Sequence, residues 1–274
     1  MKQFNYLVTS GCSFSDNMGK KWPHHLATGI QAKLYNMGEQ SAGNGWISRS
    51  AIFKADQLIK SGIPVEEILM VVMWSGLDRR GFFISREETA NYVNLSKDKQ
   101  EPRSFINPDP ILTAYHVGKD RGWLEGANMM TYNSFTQIDP RVDYRNDAFQ
   151  FFPTEALAIE SYEHFLRLQW YCKSHNITLI NLTYGDIMRY PNSSFINPRK
   201  KNRLTKDTFI DVAHLYDMVD FSNWIFFEET SGMFEYVFCN NLGFTEDGVH
   251  PGQMAHRRYA EDFLIPNLKE RKVI

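Results

Sequence analysis

The chain has 274 residues, and its 30 basic and 32 acidic side chains leave a formal net charge of -2 at pH 7. That balance offers no cationic excess to displace counterions from a phosphate backbone, so no nucleic-acid partner is expected. The length suits one large α/β domain or two small ones, and a hydrophobic content of 43% and an aromatic content of 14% can fill a sizeable core. The three cysteines, Cys12, Cys172 and Cys239, are too few and too widely spaced for a disulfide framework or a zinc site. No run approaches the roughly 18 apolar residues of a membrane span, and the first residues lack the apolar region of a signal peptide. A non-membrane protein, cytoplasmic by default, is the expectation.

Residues 5–10 (NYLVTS) form a short, mostly apolar run with β-branched members, ended by Gly11, which predicts a buried strand feeding a tight turn. A helix is expected over Trp22 to Lys33, with Trp22, Leu26 and Ile30 on one face, then a second strand over 33–37. Gly38 to Gly45 reads as a loop, and Ile47, Ala51, Ala55 and Leu58 recur at helical spacing from Trp46 to Lys60. The continuous apolar run ILMVVMW (68–74) predicts a strand covered on both faces, as in a parallel sheet. Residues 82–153, with five prolines and scattered aromatics, read as an insertion of loops and short helices on the rim of the sheet. A helix from about Thr154 to Ser174 and a strand over 176–184 follow. The stretch 190–206 is polar, basic and turn-rich, and so is expected to be exposed. A short helix over Thr208 to Val219, the aromatic stretch 221–238 and a closing helix over Gly252 to Glu270 complete the chain. Alternating strands and helices argue for a mostly parallel sheet, which binds ligands at the carboxyl ends of its strands.

Two segments carry candidate chemistry. Ser13, in SGCSFSD (10–16), stands just past the first strand, where its hydroxyl is held at the open end and nearby backbone N–H groups can face an oxyanion. The plainer role for such a serine is a helix cap. Near the other terminus, DGVHPG (247–252) sets Asp247 and His250 on one loop. There the imidazole can take a serine proton while the carboxylate fixes its tautomer; the plainer roles are a turn aspartate and a helix-start histidine.

Gly11-Cys12-Ser13-Phe14, the glycine loop and Asp247-x-x-His250-Pro251 together resemble the SGNH (GDSL) hydrolases over nearly the whole chain. The resemblance implies a single domain over residues 1–274, a three-layer α/β/α sandwich with a mostly parallel, flavodoxin-like sheet and the insertion on its rim. It also implies ester hydrolysis through an acyl-serine intermediate, without metal or other cofactor, with Ser13, Asp247 and His250 as the triad. Cys12 stands where the family usually has Asp, a change shared with divergent members, some of viral appearance. The family's glycine motif falls in residues 36–46. Gly43, with Gly38 as the alternative, would then lend its N–H to the oxyanion, and Asn44 would either donate a side-chain bond or cap the next helix.

One motif departs from the family. After the third strand it expects an Asn that donates to the oxyanion, and here Trp74-Ser75-Gly76-Leu77-Asp78-Arg79 puts Leu77 in that place. Losing one such donor typically costs about 2.7–4 kcal/mol of transition-state stabilisation. Ser75, Asn44 or Arg79 would have to replace it, or the site is slow or inactive. Arg79 could bind an anionic group of the substrate or pair with Asp78.

Cys12, beside the nucleophile in the turn, is expected to be buried. The remaining histidines read as surface or packing residues, and the aromatics of 221–238 suit either a sugar groove or a core. The leading expectation is a serine esterase acting on small acyl esters such as O-acetyl groups of a carbohydrate. The alternative is a weak or inactive module that grips a glycan or assembles into a virion. A nucleotide-binding domain would want a phosphate-cradling loop, which Gly43-Asn44-Gly45 is too short to supply.

Overall fold

The computed structural model describes residues 3–40, 42–77, 80–85, 127–132, 154–188 and 210–274. The first apolar run folds as β1 (Tyr6–Ser10), which leads through the Ser13 turn into α1 (Trp22–Ile30) and β2 (Lys33–Asn36). α1 stops short of Lys33 because Gln31 takes a left-handed φ of 57° and the Ala32 N–H bonds back to the Ala27 carbonyl at 3.0 Å. That reversal releases Lys33 to begin the next strand. α2 (Asn44–Lys60) begins at Asn44 rather than at Trp46, with Gly43 as its N-cap. A 3-10 turn at Val65–Glu67 leads to β3 (Ile68–Trp74), every residue of which is buried.

β1, β2, β3 and a later strand, β6 (Thr178–Thr183), form an all-parallel sheet in the order β2-β1-β3-β6. The chain moves outward from β1 to β2 and then back across β1 to β3. The two crossovers run in opposite directions, which under the general right-handed rule sets α1 and α2 on opposite faces. α2 packs with α3 (Thr154–His175), while α1 packs with the C-terminal helices, so the sheet is flanked by helices. The order reverses between β1 and β3, the kind of switch point where α/β sheets hold ligands at their carboxyl ends. Trp74, Phe165 and Trp224 fill the core on the α3 side, with Trp74 and Phe165 ring centroids 4.5 Å apart. The buried Trp74 indole N–H is satisfied by Asn181 Oδ1 at 2.9 Å, which keeps this aromatic layer free of an orphaned donor.

Part of the expected insertion departs from loops and short helices. β4 (Arg80–Ser85) and β5 (Ala127–Tyr132) pair antiparallel, with Arg80 opposite Tyr132. The partners are remote in sequence and no two-residue hairpin turn joins them, so no local turn signal marks the pairing. The remainder of residues 86–153 and the stretch 190–206 lie outside the described residues.

α4 (Ile210–Met218), a 3-10 turn at Phe221–Asn223 and α5 (Met233–Cys239) follow. Within the aromatic stretch Trp224 is core, 2% exposed and packed against Trp74, Phe165, Phe221 and Phe226, whereas Phe221, Phe226, Phe227 and Phe234 are half-buried and Phe238 is exposed. The expected closing helix is interrupted, with a π turn at Tyr259–Leu264 between α6 (Gln253–Arg258) and α7 (Ile265–Glu270). Pro266 near the start of α7 brings no N–H to the ladder, and a widened turn is one way to pass such a gap. Among the described residues no helix is long and apolar enough to cross a membrane.

Candidate active site

The two ends of the chain meet at the carboxyl end of the sheet. β1 delivers Gly11, Cys12 and Ser13 into a tight turn closed by the Ser15 N–H on the Cys12 carbonyl at 2.8 Å. Gly11 is required here, because a Cβ would lie 2.7 Å from Ser15 Cβ and 3.1 Å from the Met73 carbonyl oxygen. Ser15 anchors the turn further. Its hydroxyl accepts from the Trp22 indole at 3.0 Å and its carbonyl accepts from the Asn36 amide at 2.6 Å. Cys12 and Phe14 point into the core, as expected for Cys12, while Ser13 stays half-exposed.

The partner loop is built around one carboxylate. Asp247 Oδ1 accepts from the Thr245 hydroxyl at 2.7 Å and from the backbone N–H groups of Val249 and His250 at 2.9 Å each. Gly248 takes a φ of +70°, which folds the chain around that carboxylate, and Thr245 and His250 close the loop with a 2.7 Å backbone bond. Asp247 Oδ2 then faces His250 Nδ1 at 2.5 Å, and His250 Nε2 faces Ser13 Oγ at 2.8 Å. Burial alone would raise the Asp247 pKa. The His250 N–H, the His250 ring, the Val249 N–H and the Thr245 hydroxyl outweigh it and hold the carboxyl well below the usual carboxylate range. An ionised Asp247 keeps a proton on Nδ1 and leaves Nε2 free to accept one from Ser13. The Phe14 ring, 5.6 Å from the imidazole centroid, forms one wall of this row.

The glycine loop is tied to the same turn. The Glu39 N–H bonds the Gly11 carbonyl at 3.0 Å and the Met37 N–H bonds the Thr9 carbonyl at 2.7 Å. Gly38, the alternative oxyanion residue, already gives its N–H to Asn36 Oδ1 at 2.9 Å. Its lack of a side chain serves packing, because a Cβ there would lie 2.4 Å from the Ser15 carbonyl oxygen. Gly43, extended and buried, is the N-cap of α2, whose first-turn N–H groups have no partner within the helix.

Asn44 neither caps α2 nor presents a free donor. Its Oδ1 accepts from the Ser75 N–H at 2.9 Å, and its Nδ2 faces the carbonyls of Ser75 and Gly76 and the Ser161 hydroxyl at 3.1–3.4 Å. The amide therefore fastens the start of α2 to the end of β3 and to α3. Ser75 is fully buried, and its hydroxyl has no hydrogen-bond partner among the described residues. Leu77 is core, at 1% exposure. Arg79 lies outside the described residues.

Two supporting residues escaped the sequence reading. Thr245 holds Asp247, and the spacing Thr-x-Asp-Gly is a turn pattern that could have revealed it. Lys21 donates to the Ser13 carbonyl and pairs with Asp16 Oδ1 at 2.7 Å. Nothing in its sequence context marks it. No protein-family model matches the chain, and a search of curated proteins finds no match.

Proposed function

We propose that this chain is a serine esterase that hydrolyses small acyl esters through an acyl-serine intermediate, on an α/β/α sandwich of the SGNH type. The observation that carries the proposal is the continuous row of Ser13 Oγ, His250 Nε2, His250 Nδ1 and Asp247 Oδ2, with separations of 2.8 Å and 2.5 Å across its two contacts. In this reaction Ser13 Oγ attacks the ester carbonyl as His250 Nε2 takes its proton. The backbone N–H groups of Ser13 and Gly43 receive the oxyanion. Collapse of the tetrahedral intermediate breaks the bond to the alcohol, which leaves with the proton from His250. Water then attacks the acyl-enzyme with His250 again as base, releasing the acid and restoring Ser13. O-acetyl groups on a carbohydrate are the proposed substrate class. The triad side chains are partly exposed, at 38% for His250 and 24% for Asp247, which suits an acyl group carried on a large alcohol. The test is hydrolysis of p-nitrophenyl acetate. Ser13→Ala should abolish turnover with the fold intact, and unchanged turnover would exclude Ser13 as nucleophile.

One observation favours a second reading, a glycan-binding module without efficient catalysis, such as a virion component. Leu77 is buried where the third motif wants a donor, and the Asn44 amide is already committed. Labelling by a fluorophosphonate separates the two readings. Stoichiometric labelling lost in Ser13→Ala marks the enzyme, and no labelling at any pH marks the binder.

A further inference from the structure

Lys21 stands where local rules disfavour it. It is the N-cap of α1, at φ -93° and ψ 179°, a position that prefers Ser, Thr, Asp or Asn and opposes a cation through the helix dipole. It makes no side-chain cap bond. Its ammonium turns back to the Ser13 carbonyl and to Asp16 Oδ1, and the two side chains are only 16% and 3% exposed. Withdrawing an ammonium this far from water is costly unless it is fully bonded, so the placement needs a return elsewhere.

That return lies in the nucleophile turn. Ser15 is held by Cys12, Trp22 and Asn36, but among the described residues Lys21 is the donor that holds the Ser13 carbonyl. We infer that Lys21 is a positioning residue of the proposed hydrolase: its grip on the Ser13 carbonyl fixes the Ser13–Phe14 peptide plane and so aims the Ser13 hydroxyl at His250. Asp16 pairs with the same ammonium and also accepts the Met18 N–H at 2.8 Å, so its charge can be removed while the lysine donor stays on the Ser13 carbonyl. The inference rests on the acyl-serine reading, and it separates two roles that one salt bridge would otherwise merge. If Lys21 only neutralises Asp16, removing either charge should do the same harm. If it positions Ser13, only loss of the lysine donor should harm the nucleophile.

The experiment compares Lys21→Met, Lys21→Arg, Asp16→Asn and the double variant Asp16→Asn/Lys21→Met, the last guarding against an unpaired buried carboxylate. Fluorophosphonate labelling should slow about ten- to hundredfold in Lys21→Met and in the double variant, stay within about threefold in Asp16→Asn and recover in Lys21→Arg. With p-nitrophenyl acetate, kcat should fall while KM holds. The Phe14 backbone amide resonance should move in Lys21→Met and not in Asp16→Asn, because it reports the Ser13 carbonyl bond directly. Wild-type labelling rates in Lys21→Met, or equal slowing in Asp16→Asn, would overturn the inference. If the wild type itself fails to label, the acyl-serine reading falls separately. A Phe14 amide unmoved in Lys21→Met would then overturn the Lys21 contact without any reference to activity.

Discussion

Ser13 and His250 lie 237 positions apart in the chain, yet Ser13 Oγ and His250 Nε2 are 2.8 Å apart. No single helix or turn brings them together; Ser13 follows β1, His250 precedes α6, and α1 packs against α6 and the π turn after it. Groups arranged as one relay lose function together. We therefore expect Ser13→Ala, His250→Ala and the double variant to lose nearly the same activity on p-nitrophenyl acetate. Asp247→Asn keeps the shape but offers an N–H to Nδ1, favouring the wrong tautomer, and should cost on the order of 10⁴ in kcat. Multiplicative losses in the double variant would show that the two side chains act independently.

Asn44 gives a contrasting prediction, because its amide serves structure. The side chain is fully buried, accepts from one backbone N–H and faces two carbonyls and a hydroxyl. Asn44→Ala should destabilise by about 1–3 kcal/mol through the orphaned Ser75 N–H and its neighbours. Asn44→Asp should be worse, since it turns a carboxylate toward the Ser75 and Gly76 carbonyls. Urea denaturation reads both. A variant with unaltered stability and lost activity would instead make Asn44 a direct participant in the reaction.

The sheet and the Ser13–His250–Asp247 row were legible in the sequence for different reasons. Strand β3 announces itself by an unbroken apolar run and β1 by a mostly apolar one, because a strand buried on both faces favours apolar side chains. Ser13, Asp247 and His250 were legible through spacing within two short loops, where Gly11 and Gly248 mark the turns. Contacts between remote segments left no such trace. The β4–β5 pairing depends on partners far apart in the chain, and the Lys21 contact on where the start of α1 falls relative to the Ser13 turn. Asn44 is a related case. Residue type shows that an amide can donate, but its burial against Ser75 and Ser161 decides where it does.

Gly38 offers a test of how tightly the Ser13 turn is packed. A Cβ at that position would lie 2.4 Å from the Ser15 carbonyl oxygen and 2.7 Å from its carbon, both backbone atoms that cannot swing aside. Gly38→Ala should destabilise by about 1–3 kcal/mol and displace the turn that carries Ser13. Activity should then fall by more than the folded fraction explains. Activity that follows the folded fraction alone would mean that the strain dissipates before reaching Ser13.

His256 links the site's surroundings to stability. It is 3% exposed on α6, and its Nδ1 has no partner among the described residues. Burial, followed by the charges of Lys21, His25 and His250, pushes its pKa down to about 3. The folded state thus resists a proton that the unfolded chain accepts at about pH 6.5. A depressed folded pKa gives stability that is complete above the unfolded value and lost as pH falls toward the folded one. From about pH 6.5 down to about 3, the wild type should lose roughly 1.4 kcal/mol per pH unit on account of this group. Asp247, also depressed, contributes with the same sign but in a lower window, below about pH 4. His256→Gln cannot take up the proton, so its urea stability should be flatter between about pH 6.5 and 4, with the steeper fall retained only below about pH 4. Parallel profiles for the two proteins over the upper window would show that His256 binds its proton as readily in the fold as outside it.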